Sequence, residues 1–337
     1  MMEIRARAPL RVSYAGGGTD VPPYPHLMGG VVLSCTIKNY AYCSLTPRND
    51  QRVTVSKEND TVNIASETLN KLTGEGEVEF VRAVASRFSL DKGFDASVRY
   101  DALPGTGLGS SSALCVSLVG AFKEWKGNSM TDYDIAHLAY EVERKDVGIP
   151  GGMQDQYAST FGGFNLIEFK RESTIVNALR IRREILNEME YNSLLCHTGG
   201  TRRSGGILKR QIESYEQKNP RVMAALEQMK QLTLEMKDLL LTGNLTDFAR
   251  LLSSEWELKK MLDQGISTES TDTLLKAARE AGALGGKLLG AGGGGFLLLY
   301  CESGKQVQVQ KAVEQLGGRT FPVRFDKDGL QTWRYPR

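Results

Sequence analysis

Histidine is scarce in this chain. There are three in 337 residues (His26, His137, His197), none paired with a cysteine or another histidine at metal-ligand spacing. That speaks against a zinc centre or a histidine-based triad. The five cysteines (Cys35, Cys43, Cys115, Cys196, Cys301) are odd in number and sit in apolar runs such as Leu114-Cys115-Val116. Buried free thiols in a reducing cytoplasm are expected, not a disulfide framework. Charge of one sign is lacking too: Lys+Arg 42 against Asp+Glu 40 leaves +2, which predicts neither a nucleic acid nor a membrane surface as partner. No apolar run approaches the ~20 residues of a membrane span, and the opening Met1-Met2-Glu3-Ile4-Arg5 has no apolar signal region, so a cytoplasmic location is expected.

What is present describes a folded protein of two lobes. The 41% hydrophobic and 24% charged residues fit a globular chain, and 337 residues exceed the ~250–300 at which single cores stop growing. The first hundred residues read as β-rich, with apolar runs at 31–37 and 41–45 and turn chemistry at Gly16-Gly17-Gly18 and Pro22-Pro23. A short helix is expected over 79–88, and a strand around Ala96, Val98 and Tyr100. Leu114, Leu118, Phe122 and Trp125 then form the stripe of an amphipathic helix. A further helix starts at Thr131, where Asp134 completes a capping-box-like pair, and stops near Gly148. From 205 to 241 the pattern is strongly helical, with Val222, Leu226, Met229, Met236 and Leu240 as core. The tail predicts a helix over 271–281, a Gly-rich turn, a strand over 296–301, a helix over 305–316 and closing strands over 320–333. The order favours an α+β fold with helices on one face of a largely antiparallel sheet. A change of character at Lys170-Arg171-Glu172 marks the expected seam, giving lobes 1–172 and 173–337, with the final strands able to return to the first lobe.

The most specific signal is Pro104-Gly105-Thr106-Gly107-Leu108-Gly109-Ser110-Ser111-Ser112, set between a strand and an amphipathic helix. Glycines allow close backbone approach, and a helix N-terminus offers unpaired N–H groups at its positive end. Such a loop suits a triphosphate, with the serines able to cap the helix, bond phosphate or supply a hydroxyl to magnesium. No Walker A is present, since no Lys-Ser/Thr follows Gly109. Gly290-Ala291-Gly292-Gly293-Gly294-Gly295 matches G-x-G-x-x-G but leads into a strand, so a dinucleotide fold is not supported.

Three separated segments resemble the three motifs of the GHMP kinases: Pro9-Leu10-Arg11-Val12-Ser13-Tyr14-Ala15-Gly16-Gly17-Gly18-Thr19-Asp20, the Ser loop, and Leu288-Leu289-Gly290 through Phe296. Within that family the resemblance runs toward the D-glycero-D-manno-heptose 7-phosphate kinases of nucleotide-activated heptose synthesis, on Ser13 to Val21, Gly151-Gly152-Met153-Gln154-Asp155 and His197-Thr198-Gly199-Gly200-Thr201-Arg202. It implies a ribosomal protein S5 domain 2-like N-terminal lobe and a ferredoxin-like C-terminal lobe. It also implies ATP and Mg2+ as cofactors, and direct in-line transfer of the γ-phosphate to the anomeric O1 of the heptose phosphate.

The same resemblance implies roles. Asp155 would be the general base and Arg11 its partner, lowering its pKa or steadying the transferring phosphoryl group. Pro104, Gly105, Gly107, Leu108, Gly109, Ser110, Ser111 and Ser112 would cradle the nucleotide, and Ser111 with Glu143 would hold magnesium, Glu141 being the rival. Asp20 would accept hydrogen bonds from the sugar, with Gly17, Gly18, Thr19, Gly152, Thr198, Gly292 and Gly293 around the acceptor and Arg202 and Arg203 pairing with its phosphate. A kinase of an unphosphorylated fucose, mannose or galactose type is the alternative, and a non-catalytic sugar or nucleotide sensor a more distant one. A homodimer is compatible with all of these.

Overall fold

A computed structural model describes residues 2–57, 63–102, 105–199 and 205–336. The N-terminal part contributes strands β1 (Met2–Ala15), β2 (Gly30–Pro47), β3 (Val53–Lys57), β4 (Asn63–Ser66), β5 (Phe94–Tyr100), β6 (Phe164–Phe169) and β7 (Thr174–Ala178). Its helices are α1 (Tyr24–Met28), α2 (Glu77–Ser86), α3 (Ser110–Lys126), α4 (Asp132–Glu141) and α5 (Gln154–Phe161). The C-terminal part adds α6 (Arg183–Asn192), β8 (Ser193–His197), α7 (Gly205–Glu216), α8 (Pro220–Thr242), α9 (Leu245–Lys260) and α10 (Glu269–Glu280). It ends in β9 (Ala283–Leu288), β10 (Phe296–Cys301), α11 (Gln306–Glu314), β11 (Arg319–Pro322), β12 (Phe325–Asp326) and β13 (Gln331–Pro336).

Two sheets organise these elements. The larger runs β13-β1-β2-β5-β3-β4, with β6 and β12 on β2 and β7 on β6; the smaller runs β11-β8-β10-β9. Every described pairing is antiparallel except β3 with β5. The two runs expected at 31–37 and 41–45 are one strand, β2, whose first half pairs β6 and second half β5. Its partner β1 shifts register between Pro9 and Leu10, the place in a strand where a residue without an N–H is tolerated. That irregularity precedes Arg11 and a run from Ala8 to Ala15 that is buried throughout. Strand β13, from the end of the chain, lies antiparallel on β1, pairing Arg5 with Trp333.

The core explains the helical faces. Leu114, Leu118 and Phe122 of α3 are fully buried, and Phe122 meets Phe94 edge-on at 5.1 Å. Thr131 and Asp134 form a reciprocal capping box at the start of α4. The long helical pattern from 205 is two helices, because Asn219-Pro220 interrupts it: Asn219 caps α8 through its side chain, with Pro220 in the first turn. Met229 and Met236 are core, as their spacing predicts. Strand β9 was not expected, since Gly285-Gly286 reads as turn; both glycines are instead strand positions packed against Ala249, Leu252 and Leu275. All five cysteines are free and buried, and no helix among the described residues is long and apolar enough to cross a membrane.

Candidate active site

A single cleft is lined by all three glycine-rich segments. Arg11, Ser13, Gly17, Gly18 and Asp20 come from the end of β1 and the loop after it; Gly105, Gly107, Gly109 and Ser110 to Ser112 from the loop entering α3; Gly290 and Ala291 from the β9–β10 turn. Glu143, Gly152, Gln154 and Asp155 close the wall.

The loop before α3 achieves its shape through three left-handed glycines, Gly105, Gly107 and Gly109, and no side chain caps the helix. Gly107 also answers to its neighbours, because a Cβ there would lie 2.4 Å from the Leu289 carbonyl oxygen. The Ser loop and the β9–β10 turn therefore touch backbone to backbone. A helix N-terminus presented in this way is a ready anion site. Leu108 is buried, and its carbonyl accepts from the Arg11 N–H at 3.0 Å.

Arg11 reaches across from β1 to Asp155 in the first turn of α5. Its Nε meets Oδ1 at 2.7 Å and its third nitrogen donates to the Gly107 carbonyl, while the second terminal nitrogen meets Oδ2 at 2.8 Å. Arg11 is 4% exposed and Asp155 18%, so the guanidinium is locked while the carboxylate still faces the cleft.

Glu143 occupies a π-helical turn, Val142–Asp146, that extends α4. Such turns redirect side chains and often mark functional positions. Here Glu143 is 1% exposed and accepts from Ser111 Oγ at 2.8 Å, Ser112 Oγ at 2.6 Å and Gln156 Nε2 at 2.6 Å, with Arg144 3.2 Å away. Glu141 turns elsewhere, to Lys145 at 2.7 Å and Arg87 at 3.6 Å. Ser111 Oγ and Glu143 Oε1 are hard oxygen donors at the mouth of the Ser loop, a set that fits magnesium, which takes few protein ligands. Arg144 also donates to the Gly152 carbonyl at 2.9 Å, fixing the 148–152 turn.

Asp20 is fully buried beneath that turn. Its Oδ1 accepts from the Gly18 N–H at 3.0 Å and its Oδ2 from the Gln154 N–H at 3.1 Å. Some expected residues stand behind the cleft instead of lining it. Thr19 spends its hydroxyl on the Gly16 and Val31 carbonyls, Thr198 braces Gly295, and Gly292 and Gly293 pack on Ile266. Pro104, Arg202 and Arg203 lie outside the described residues.

Three charged side chains escaped sequence reasoning. Glu255 and Lys259, one turn apart on α9, and Lys287 on β9 are all nearly inaccessible. Glu255 Oε1 accepts from the Gly16 N–H at 3.0 Å and from Lys287 Nζ at 3.3 Å, while Lys287 also donates to the Tyr14 carbonyl at 2.9 Å. Lys259 donates to the Gly17 carbonyl at 2.7 Å. Burial pushes the Glu255 carboxyl up and the Lys287 ammonium down, against their mutual attraction. Burial and then Lys287 push Lys259 down to about 8, opposed by Asp20 and Glu255. An i, i+4 Glu–Lys pair usually reads as a solvated helix face, so nothing in the local pattern separated it from surface charge. The one local sign was Lys287 within the apolar stretch Leu284 to Leu289.

Known proteins share this architecture. The model of the GHMP kinases N terminal domain matches residues 77–163, and that of the GHMP kinases C terminal matches 236–318. The chain is 34% identical to a D-glycero-alpha-D-manno-heptose 7-phosphate kinase of Campylobacter jejuni, over 99% of this chain and 100% of that one. A crystal structure of a D-glycero-D-manno-heptose 1-phosphate kinase from Bacteroides thetaiotaomicron superposes with a TM-score of 0.83 and 34% identity, covering 99% and 100% of the two chains. Lactococcus lactis galactokinase shares the fold at a TM-score of 0.78 and 19% identity, over 98% and 95% of the chains. With both domains matched and a full-length relative at this identity, the chain belongs to the GHMP kinase family.

Proposed function

We propose that this ATP-dependent sugar kinase transfers the γ-phosphate to the anomeric O1 of D-glycero-D-manno-heptose 7-phosphate, giving the 1,7-bisphosphate. The observation that carries the choice of acceptor is the full-length 34% identity to the heptose 7-phosphate kinase. The kinase class itself rests on the family and on both heptose kinase relatives.

In this reading the acceptor hydroxyl lies against Asp155, whose carboxylate accepts its proton as the oxygen attacks phosphorus. Arg11 orients that carboxylate through two hydrogen bonds and links it to the Ser loop at Gly107. The N-terminus of α3 with Ser110 to Ser112 holds the phosphates. Ser111 and Glu143 would hold magnesium, which supplies charge neutralisation on the phosphate oxygens when bound. Asp20, held by two backbone N–H groups, accepts from sugar hydroxyls, and Arg202 and Arg203 pair with the phosphate of the acceptor.

The test is an ADP-release assay with ATP and magnesium on heptose 7-phosphates, heptose 1-phosphates, fucose, mannose and galactose, with the product position read by phosphorus NMR. Turnover of a heptose 7-phosphate to the 1,7-bisphosphate is expected. Turnover confined to a free sugar or to a heptose 1-phosphate would overturn the acceptor and leave the kinase class standing.

A further inference from the structure

Gly17 sits at the centre of a ring of polar side chains. A Cβ on this residue would lie 3.5 Å from Gln154 Nε2 and 3.6 Å from Ser13 Oγ, while Lys259 Nζ bonds its carbonyl at 2.7 Å. Asp20 joins the ring through Gly18 on one side and Gln154 on the other. All four side chains line the cleft.

Two of these groups are buried polar atoms without a protein partner. Ser13 Oγ and Gln154 Oε1 make no hydrogen bond, although the residues are 5% and 9% exposed. Native proteins usually avoid leaving such buried atoms unpaired, because each has given up its bonds to water. Lys259 adds to the imbalance, since an ammonium carries three donors and the Gly17 carbonyl takes one. The ammonium also lies against Gly18, where a Cβ would come within 3.4 Å of Nζ. Spare donors, spare acceptors and a carboxylate thus converge on one glycine that offers no side chain of its own.

We infer that Ser13, Asp20, Gln154 and Lys259 form a subsite for two neighbouring hydroxyls of the sugar ring, Lys259 donating and Asp20 accepting. A vicinal diol presents both donors and acceptors a few ångströms apart, and a Lys–Asp pair with flanking hydroxyl and amide satisfies both kinds. The inference rests on the reading that the acceptor is a sugar, and it assigns to Lys259 a binding role that neither the motifs nor the first glycine segment contains. Glu255 and Lys287 act behind it as positioning residues. Glu255 fixes the Gly16 N–H, and Lys287 fixes the Tyr14 carbonyl at the base of the same loop.

Lys259 faces Lys287 from β9, Asp20 from the loop after β1, Arg11 from β1 and Glu255 from its own helix. With the ammonium titrating near 8, acceptor binding weakens as the pH rises through that value, because the charged donor is lost.

The experiment measures KM for acceptor and for ATP, with the parent sugar and with its monodeoxy analogues. Lys259→Met is expected to raise the acceptor KM about tenfold or more and to leave the ATP KM within about twofold. One deoxy sugar should show a much smaller effect of the substitution, since the hydroxyl that Lys259 meets is already gone. Lys259→Arg should recover part of the affinity and move the alkaline limb of the acceptor KM upward. Equal changes in both KM values, or none, overturn the assignment. Should Lys259→Met fail to fold, Ser13→Ala gives the same split at about threefold, and its absence overturns the ring. A wild-type protein that turns over none of the sugars removes the function and the subsite together, whereas wild-type turnover with an unmoved acceptor KM removes the subsite alone.

Discussion

Arg11 holds Asp155 through two parallel hydrogen bonds of 2.7 and 2.8 Å and uses its remaining nitrogen on the Gly107 carbonyl. One side chain therefore sets the distance between the proposed base and the Ser loop. Asp155→Asn keeps the shape and removes the proton acceptor. We expect kcat to fall about 10²–10⁴-fold while ATP binding, read by calorimetry, stays near wild type. Arg11→Lys keeps the charge but not the fork, so it should lower kcat as well. Wild-type kcat in Asp155→Asn would falsify the assignment of the base.

Glu143 is expected to serve both stability and catalysis. It satisfies two serines and Gln156 while facing Arg144, and its own side chain is 1% exposed. Removing it strands those partners, and breaking a buried charged pair typically costs ~3–5 kcal/mol. Glu143→Ala should lower the unfolding free energy by about that amount in urea. Glu143→Gln, which preserves two acceptor pairs in part, should be milder in stability yet raise the magnesium concentration needed for half-maximal rate. An unchanged magnesium requirement in Glu143→Gln would separate the residue from the metal.

How much of this was legible from the sequence depends on how local each signal is. The Ser loop announces itself, because three alternating glycines before a serine run have few other uses. Arg11 and Asp155 are 144 positions apart, and only the resemblance to a family joined them; the α5 turn and the β1 irregularity that bring them together leave no shared pattern. Glu143 was distinguishable from Glu141 by resemblance alone, since the π-helical turn that aims it inward has no simple signature. Lys259 and Glu255 stayed hidden for the opposite reason. Their spacing fits an ordinary exposed helix face, and what buries them is the packing of α9 on β9 and the Gly16–Gly18 loop, a contact between distant segments. The single helix expected over 205–241 broke at Asn219-Pro220, where the local rule for proline was available and the hydrophobic period outweighed it.

The buried lysine also gives a stability signature. Lys259 has its ammonium at about 8 in the folded protein against an ordinary 10.5, so between these values the unfolded chain binds a proton that the folded one does not. Stability from this group therefore rises with pH across that window, by up to ~3 kcal/mol at its upper end, and is flat below it. The buried thiols work the other way: Cys43 and Cys301 are pushed up to about 12 by burial, so the folded state holds their protons longer and loses stability as the pH passes 9. The readout is accordingly the difference between wild type and Lys259→Met in urea unfolding at pH 7.5, 9 and 10. The stability of wild type relative to the variant should rise with pH, and a constant gap would mean that Lys259 titrates normally.

Gly152 tests whether Asp20 must stay where the backbone holds it. A Cβ on Gly152 would fall 1.9 Å from Asp20 Oδ2, an atom already fixed by the Gln154 N–H, while Arg144 pins the Gly152 carbonyl from the other side. The backbone of Gly152 is pinned, so the clash must be relieved by the Asp20 carboxylate, which loses its bond to the Gln154 N–H as it moves. Gly152→Ala should therefore swing the carboxylate away from the cleft and raise the acceptor KM by about tenfold or more, with the ATP KM nearly unchanged. Restoring space with Asp20→Ser in the double variant should add little further loss, since the hydrogen bond is already broken. Full additivity of the two substitutions would mean that Gly152 acts on the acceptor by a route independent of Asp20.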